Sequence, residues 1–527
     1  MTRYSIVADL NRCVGCQTCT AACKHTNATA PGVQWRKVLD IETGEFPDVH
    51  RAFMPVGCMH CDDAPCLSVC PTTATRKRDD GIVTIDYDLC IGCAYCTVAC
   101  PYQARSRVDL PTRAFKGKTM KHEVVREDPK RIGVAQKCTM CSDRIDFGLE
   151  NGLIPGLDAD ATPACVNACI AGALHFGDAE DPNSNVSQLL EKNQHFTMHE
   201  ELGTGPGIHY LWGKSTGNDE PAPEPEMIAE PLGMPGVVPA LQKSWDWRAA
   251  SNFILGGSGT SLFLATAIGG TTGMSMVLPG LLALAMVGLG LFCVWLEIGR
   301  PWRFFNVFYH ARMSWMTREA MVGIPFMGLG FLTVLTGSIP LGVVAAVFGM
   351  AFLYAQGRIL RAAKGIPAWR HPGIVPLIVA TGLTEGVGIF AVYAVIVGAG
   401  SSSLQTLASI LLILIALRVF AWSSYRTSLG RIGAPTGTFA AFAADPIKLT
   451  PTHQAIPVVL LLVALAVPML SPVLVALAGA LALASGWVFK YGLITRAAFN
   501  QGYSLKKMPA RGAGLSSPGV KPGWTTN

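Results

Sequence analysis

Residues 90–101 read Cys90-Ile-Gly-Cys93-Ala-Tyr-Cys96-Thr-Val-Ala-Cys100-Pro101. Working outward, related runs stand at Cys13-x2-Cys16-x2-Cys19-x3-Cys23, at Cys58-x2-Cys61-x4-Cys66-x3-Cys70-Pro71, and at Cys138-x2-Cys141 followed after a gap by Cys165-x3-Cys169. Together the four runs hold sixteen of the seventeen cysteines. A [4Fe–4S] cube takes four thiolates. A Cys-x2-Cys-x2-Cys loop wraps three of them, the fourth cysteine reaches the neighbouring cluster, and proline ends the run. Structural zinc also uses four cysteines, but from two separated Cys-x2-Cys pairs and not from a tight triple. A disulfide framework goes with an oxidising compartment and a signal peptide, whereas the chain opens Met-Thr-Arg-Tyr-Ser-Ile-Val-Ala-Asp with no apolar core of such a signal. The expectation is four [4Fe–4S] clusters.

Tyr4 to Asp9 alternates like a short strand and leads into the first run, and Ile82 to Asp86 does the same before the third. Strand, cluster loop and short helix make the repeating unit of a two-cluster ferredoxin, and its double occurrence predicts two such modules. Between the third and fourth runs, residues 103–137 carry Arg105, Arg107, Arg113, Lys116, Lys118, Lys121, Arg126, Lys130 and Arg131. Such a charge run is a solvated face or a docking surface for a partner subunit. The proline-rich residues 217–239 read as an extended linker.

Beyond the linker the chemistry changes. Residues 1–248 carry 24 Lys+Arg against 32 Asp+Glu, and residues 249–527 carry 18 against 4. Mean hydropathy is +0.35 with 15% charged residues, too apolar for an average soluble protein. Basic charge beside long apolar runs is a membrane orientation signal, not a nucleic-acid face. Eight apolar stretches follow at about 249–270, 275–298, 320–337, 339–358, 374–398, 403–423, 453–471 and 472–490, each near the ~20 residues that cross a bilayer. The loops after the second, fourth and sixth stretches hold Arg300, Arg303, Arg312, Arg318, Arg361, Lys364, Arg370, Arg426, Arg431 and Lys448, and the tail holds Arg496, Lys506 and Lys507. The opposite connections hold no charge, so the positive-inside rule places the cluster domain on the cytoplasmic face of the bacterial inner membrane.

An ionisable side chain inside a span costs about 2.5–3.5 kcal/mol on insertion scales and is a functional candidate by default. Glu385 lies near the middle of the fifth stretch and Arg418 toward the basic end of the sixth. They read either as an ion pair holding two helices or as proton-relay or quinol residues. Glu297 and Glu319 bracket the first basic loop, where a quinone head group exchanges protons. The membrane half has only His310, His371 and His453, all in loops or at span ends, so haem ligation within the bilayer is not expected. Cys293 reads as a small core residue.

The four-run domain, with Cys90 to Tyr102 as its sharpest stretch, resembles the iron–sulfur subunit of the dimethyl sulfoxide reductase family of molybdoenzymes over about residues 3–215. The second half resembles that family's membrane anchor over about 245–495. Its marks are Asn252-Phe253-x-x-Gly256-Gly257, Glu297-Ile-Gly-Arg300-Pro-Trp302, Ser314-Trp315-x-x-Arg318-Glu319 and Ile366-Pro-Ala-Trp369. The chain looks like a fusion of two subunits that are usually separate. The resemblance implies ligation across runs: Cys13, Cys16 and Cys19 with Cys169; Cys138, Cys141 and Cys165 with Cys23; Cys58, Cys61 and Cys66 with Cys100; and Cys90, Cys93 and Cys96 with Cys70. Some relatives replace the second cysteine of the third run, and Cys93 keeps it here. Many anchors carry His-x-Gly-x-Pro where this chain has Glu297-Ile-Gly-Arg-Pro, which changes the group offered to a quinone.

The expected fold is therefore an α+β double two-cluster ferredoxin domain (1–215), a Pro-rich linker (216–244), an all-α polytopic membrane domain of about eight transmembrane helices (245–495) and a basic tail (496–527). The expected function is electron transfer and membrane anchoring in a quinone-linked oxidoreductase. The clusters connect a quinone/quinol site with a separate molybdopterin catalytic subunit that carries the substrate chemistry, in the manner of a quinone-linked sulfite dehydrogenase. The alternatives are a dimethyl sulfoxide, polysulfide or tetrathionate terminal reductase subunit and a redox-coupled proton-pump module.

Overall fold

The computed structural model describes residues 2–43, 46–47, 49–115, 118–126, 128–214, 226–228, 238–446, 448–508 and 518–522. The chain divides into two compact units, Met1–Ala240 with Asn500–Thr526, and Leu241–Phe499.

In the first unit, Tyr4–Asp9 is the inner strand of a four-stranded sheet. It runs antiparallel to Leu174–Asp178 and parallel to Ile208–Lys214, with Asn193–Phe196 at the edge. Ile6 faces Phe176 on one side and Ile208 on the other, and all three are buried. The strand before the first cysteine run thus pairs with the strand after the last, closing the runs into one body. The sequence repeat persists in the backbone. Gly15 (φ 72) and Gln17 (φ 61) turn the first loop through the left-handed region, and Gly92 (φ 72) and Ala94 (φ 57) turn the third at the same two positions. Glycine takes that conformation without steric cost, and a Cβ at Gly15 would stand 2.5 Å from the Phe53 ring. The loops then feed the helices Thr18–Asn27 and Tyr95–Ala99.

The tail expected at 496–527 is not an appendage to the bundle. Residues from Asn500 onward belong to the first unit, because Tyr503, Leu505 and Met508 are buried there and Tyr503 Oη donates to Tyr102 O at 2.7 Å. Leu505–Lys507 pairs with Pro518–Pro522, which pairs in turn with Glu226–Ile228. That last strand falls inside the expected linker; residues 216–225 and 229–237 of the linker, Lys116, and residues 509–517 and 523–527 of the tail lie outside the described residues.

The second unit is a helix bundle. Among the described residues, seven helices are long and apolar enough to cross a membrane: Trp247–Thr271, Val277–Glu297, Trp315–Thr336, Ile339–Ala362, Ile374–Ile396, Ser401–Arg431 and Pro468–Thr495, the last opening with a short 3-10 turn. The expected seventh of eight spans is instead a 16-residue helix, Pro451–Ala466. Proline starts it, and Pro468 follows its end, since proline supplies no N–H to continue a helix. At ~1.5 Å per residue it is about 24 Å long, short of the ~30 Å hydrocarbon core. It still counts as a pass of the bundle. Gln242 N donates to Ala498 O at 3.0 Å and Leu241 bridges Phe499, so the chain enters and leaves the bundle at one end, after an even number of passes. Leu278, Ile324, Val347, Ile413 and Phe420 are exposed on the outside, a surface suited to lipid.

Two apolar cores lie within the bundle, one built on the first four long helices with Phe390 of the fifth, and one on the fifth and sixth long helices, Pro451–Ala466 and the last helix. The first and fifth helices pack on each other, and each packs on the fourth and on the last, where the two cores meet. Glycines set the approach: a Cβ on Gly386 would stand 2.3 Å from the Ser261 backbone, and one on Gly388 2.7 Å from Gly479 O.

Candidate functional site

All sixteen run cysteines are described, and none is joined to another by a disulfide. Cys16 is exposed, Cys93, Cys100 and Cys169 are half-buried, and the rest are buried. Cys70 from the second run and Cys90, Cys93 and Cys96 from the third line one cavity, with Thr72, Gly92 and Ala94 between them. Cys61 has Cys58, Cys100 and Cys66 as its neighbouring thiols. Cys23 has Cys138, Cys165 and Cys141, and the Asn27 amide reaches both Cys23 Sγ (3.7 Å) and Cys141 Sγ (3.9 Å). Cys19 stands near Cys165 and Cys13.

These thiols fit a cofactor that brings positive charge. Burial pushes Cys100 and Cys138 up to about 12 and Cys19 up to about 11, with neighbouring thiols adding to the effect. Buried groups of that kind ionise when a metal takes their charge. Donors for thiolate sulfur are already in place: Arg105 Nη2 to Cys66 Sγ at 2.9 Å, Ala173 N to Cys169 Sγ at 3.2 Å and Met140 N to Cys138 Sγ at 3.3 Å.

In the bundle, Glu319 is not a loop residue. It is the fifth residue of the helix Trp315–Thr336, is buried, and accepts from Asn252 Nδ2 at 3.2 Å. Gln356 hydrogen-bonds Glu319 as well and donates from Nε2 to Asn252 O at 2.9 Å. Glu297 ends the second helix and is buried.

Glu385 and Arg418, which read either as an ion pair or as relay or quinol residues, are fully buried and have partners other than each other. Glu385 Oε2 accepts from Lys490 Nζ and from Ser258 Oγ, each at 2.7 Å, and Ser258 Oγ accepts from Trp487 Nε1 at 3.0 Å. Arg418 donates to Ala482 O (2.8 Å), Gln454 Oε1 (2.6 Å) and Ser485 Oγ (3.0 Å). The physical reason is space. A Cβ on Gly486 would stand 2.3 Å from Glu385 Oε1, and Lys490 lies one turn further along the same face of that helix. On the facing helix a Cβ on Gly257 would stand 2.6 Å from Lys490 Nζ, and one on Gly256 2.5 Å from Gln356 Nε2. The paired glycines of the Asn252-Phe253-x-x-Gly256-Gly257 motif thus make room for two polar side chains of other helices.

Lys490 and Gln356 were missed in the sequence. The legible signal was a lysine closing an apolar stretch four residues after a glycine. The motif at Ile366-Pro-Ala-Trp369 is structural: Trp369 Nε1 donates to Leu493 O at 3.0 Å and its ring stacks on Trp245. Arg318 and Arg358 both lie over the Trp315 ring, at 4.4 and 4.2 Å.

Residues 49–126 match a family model described as a 4Fe-4S dicluster domain. A selenate reductase subunit of Mesobacillus selenatarsenatis is 40% identical, over 40% of this chain and 72% of that protein. A sulfite dehydrogenase subunit of Allochromatium vinosum is 37% identical, over 41% of this chain and 85% of that one. A tetrathionate reductase subunit of Salmonella typhimurium is 36% identical, over 40% and 72%.

Proposed function

We propose a function that starts from membership: the chain belongs to the family of iron–sulfur subunits of molybdoenzyme complexes, and it relays electrons through four [4Fe–4S] clusters between a membrane quinone and a separate molybdopterin catalytic subunit. The clusters supply one-electron carriers when bound. The chain's own residues hold, space and insulate them. The observation that carries the reading is the cavity lined by Cys70, Cys90, Cys93 and Cys96, three thiols from one run and one from another. It supports the set of Cys90, Cys93 and Cys96 with Cys70, and the thiols around Cys61 and Cys23 support two more of the sets given above. The charge pattern of the loops favours a cluster domain on the cytoplasmic face and, with it, sulfite oxidation by the partner, not terminal reduction.

The quinone end is assigned to Glu319. Its carboxyl is buried on the third long helix among Asn252 and Gln356, a setting in which a proton acceptor is shielded from bulk water. A quinone reduced there takes two electrons from the clusters and two protons through Glu319. Glu319→Gln keeps the shape and removes the proton-carrying carboxyl, so quinone-linked turnover is expected to fall about a hundredfold. Electron transfer from an artificial donor directly to the clusters is expected to survive. Equal loss of both overturns the assignment. For orientation, a reporter active only outside the cytoplasm is expected to be silent when fused after Lys507 and active within 399–402.

A second reading, the redox-coupled proton module, gains from Lys490. Its ammonium against Glu385, with Ser258 and Trp487 attached, gives the bundle a buried charged network beyond the two candidates legible in the sequence.

A further inference from the structure

Among the described residues, three cations are buried among the thiols: Arg36, Arg105 and Lys137. Arg36 pairs with Gly57 in the hairpin of Arg36–Thr43 and His50–Gly57. A Cβ on Gly57 would stand 3.5 Å from its Cζ and Nη1, so the guanidinium folds across the residue before Cys58. Nε, Nη1 and Nη2 of Arg36 all lack a hydrogen-bond partner among the described residues, and the titratable groups near it include the thiols of Cys165, Cys138 and Cys19 and the Tyr210 phenol. Arg105 donates to Cys66 Sγ at 2.9 Å and to Thr75 Oγ1 at 3.1 Å, hydrogen-bonds Cys96 as well, and has Cys58 and Cys100 beside it. Lys137 donates to Cys138 O at 2.7 Å and to Val83 O, with the thiols of Cys58, Cys138 and Cys66 and the Arg105 guanidinium near it.

Placed on the ligand sets proposed above, the three cations fall at three junctions. Arg36 lies between the set of Cys13, Cys16, Cys19 and Cys169 and the set of Cys23, Cys138, Cys141 and Cys165. Lys137 lies between the latter and the set of Cys58, Cys61, Cys66 and Cys100. Arg105 lies between that set and Cys70, Cys90, Cys93 and Cys96. We propose that these are positioning residues for electron transfer, one per junction, each raising the reduction potential of the two clusters it separates. The inference rests on the ligand sets of the preceding reading.

The physical argument is charge. An electron arriving on one side of a junction adds a negative charge, and it leaves on the other side with no bond made or broken and no proton moved. A cation fixed in a low-dielectric interior stabilises the added charge far more than it would in water. It also reduces the repulsion between neighbouring anionic clusters. Hydrogen bonds to sulfur and local net charge are established levers on cluster potential. Arginine is suited to such a site because it stays protonated even when buried.

The test is a potentiometric titration of the full-length chain, purified anaerobically and followed by electron paramagnetic resonance, with iron content measured alongside. Arg36→Gln is expected to lower two of the four midpoint potentials by at least a tenfold change in the one-electron equilibrium, about 59 mV. Arg105→Gln is expected to lower the two that involve the second and third runs, and Arg36→Lys to restore the wild-type values. With full iron, unchanged midpoints in both glutamine variants, or an equal shift of all four clusters, overturn the inference. So does equal iron loss in Arg36→Gln and Arg36→Lys, which makes Arg36 a packing residue. Iron far below about sixteen per wild-type chain instead overturns the four-cluster reading beneath it.

Discussion

In the bundle, Lys490 sets its ammonium 2.7 Å from Glu385, and Arg418 reaches three acceptors. In the thiol unit Arg36 is just as buried, yet its three guanidinium nitrogens meet no acceptor among the described residues. Removing one partner of a buried ion pair is strongly destabilising because it leaves a buried charge uncompensated. The bundle therefore answers Lys490 and Arg418 with groups of its own, and the thiol unit leaves Arg36 to be answered by the cysteine thiolates that hold a bound cofactor.

The largest effect expected from this contrast comes from the cofactor side. Cys93→Ser removes one corner of the cavity lined by Cys70, Cys90, Cys93 and Cys96. Anaerobically purified variant is expected to hold about four fewer iron atoms than the roughly sixteen proposed for the wild type, and electron transfer from every donor is expected to stop. The helical signal of the bundle should be unchanged. Unaltered iron content would break the assignment of Cys93 as a ligand, and loss of bundle helicity would break the independence of the two units.

The next effect tests the bundle's self-sufficiency. Lys490→Met strands the Glu385 carboxylate in a fully buried site, at an expected cost of about 3–5 kcal/mol. Glu385→Gln combined with Lys490→Met removes both charges and is expected to recover most of that loss. Unfolding in a denaturing detergent measures both. If the double variant is no more stable than the single, the ammonium is not what holds Glu385, and the second reading loses its support.

The same contrast explains what the sequence disclosed. Cluster ligation is written in local spacing, so Cys90 to Cys100 was legible at once, and the left-handed turns at Gly15 and Gly92 carry the same repeat in the backbone. Glu385 and Arg418 stood out as charges in apolar runs. Their partners did not, because pairing the fifth helix with the last is a tertiary choice made by Gly486 and Gly257. Lys490 looked like the flank of a span. Arg36 was one basic residue in an ordinary stretch, and only the register with Gly57 brings it among thiols. The return of Tyr503 to the first unit was hidden for the same reason: its hydrogen bond is to Tyr102, 401 residues away along the chain.

The smallest effect comes from a charge pair that neither a cofactor nor a dry interior sustains. Arg78 Nη1 donates to Asp146 Oδ2 at 2.8 Å, linking the hairpin of Thr75–Lys77 and Val83–Ile85 to the helix Ser142–Glu150. The two side chains are 31% and 44% exposed, and Arg78 also pairs with Asp80 at 2.9 Å. Water and salt screen such a pair, so Asp146→Asn is expected to cost under about 1 kcal/mol. The Arg78 hydrogen bond holds the Asp146 carboxyl below its ordinary value. A carboxylate with a depressed folded pKa stabilises fully above its unfolded pKa and loses that contribution as pH falls through the folded one. The cost should therefore be flat across roughly pH 5 to 8, where the carboxyl is ionised both folded and unfolded, and should shrink toward zero in about 1 M salt, where the screening length falls to about 3 Å. Chemical denaturation followed through the cluster absorbance gives both dependences. A cost that persists in high salt would place Asp146 with the unscreened charges of the interior, alongside Glu385 and Arg36, and remove the distinction between exposed and buried pairs on which the comparison stands.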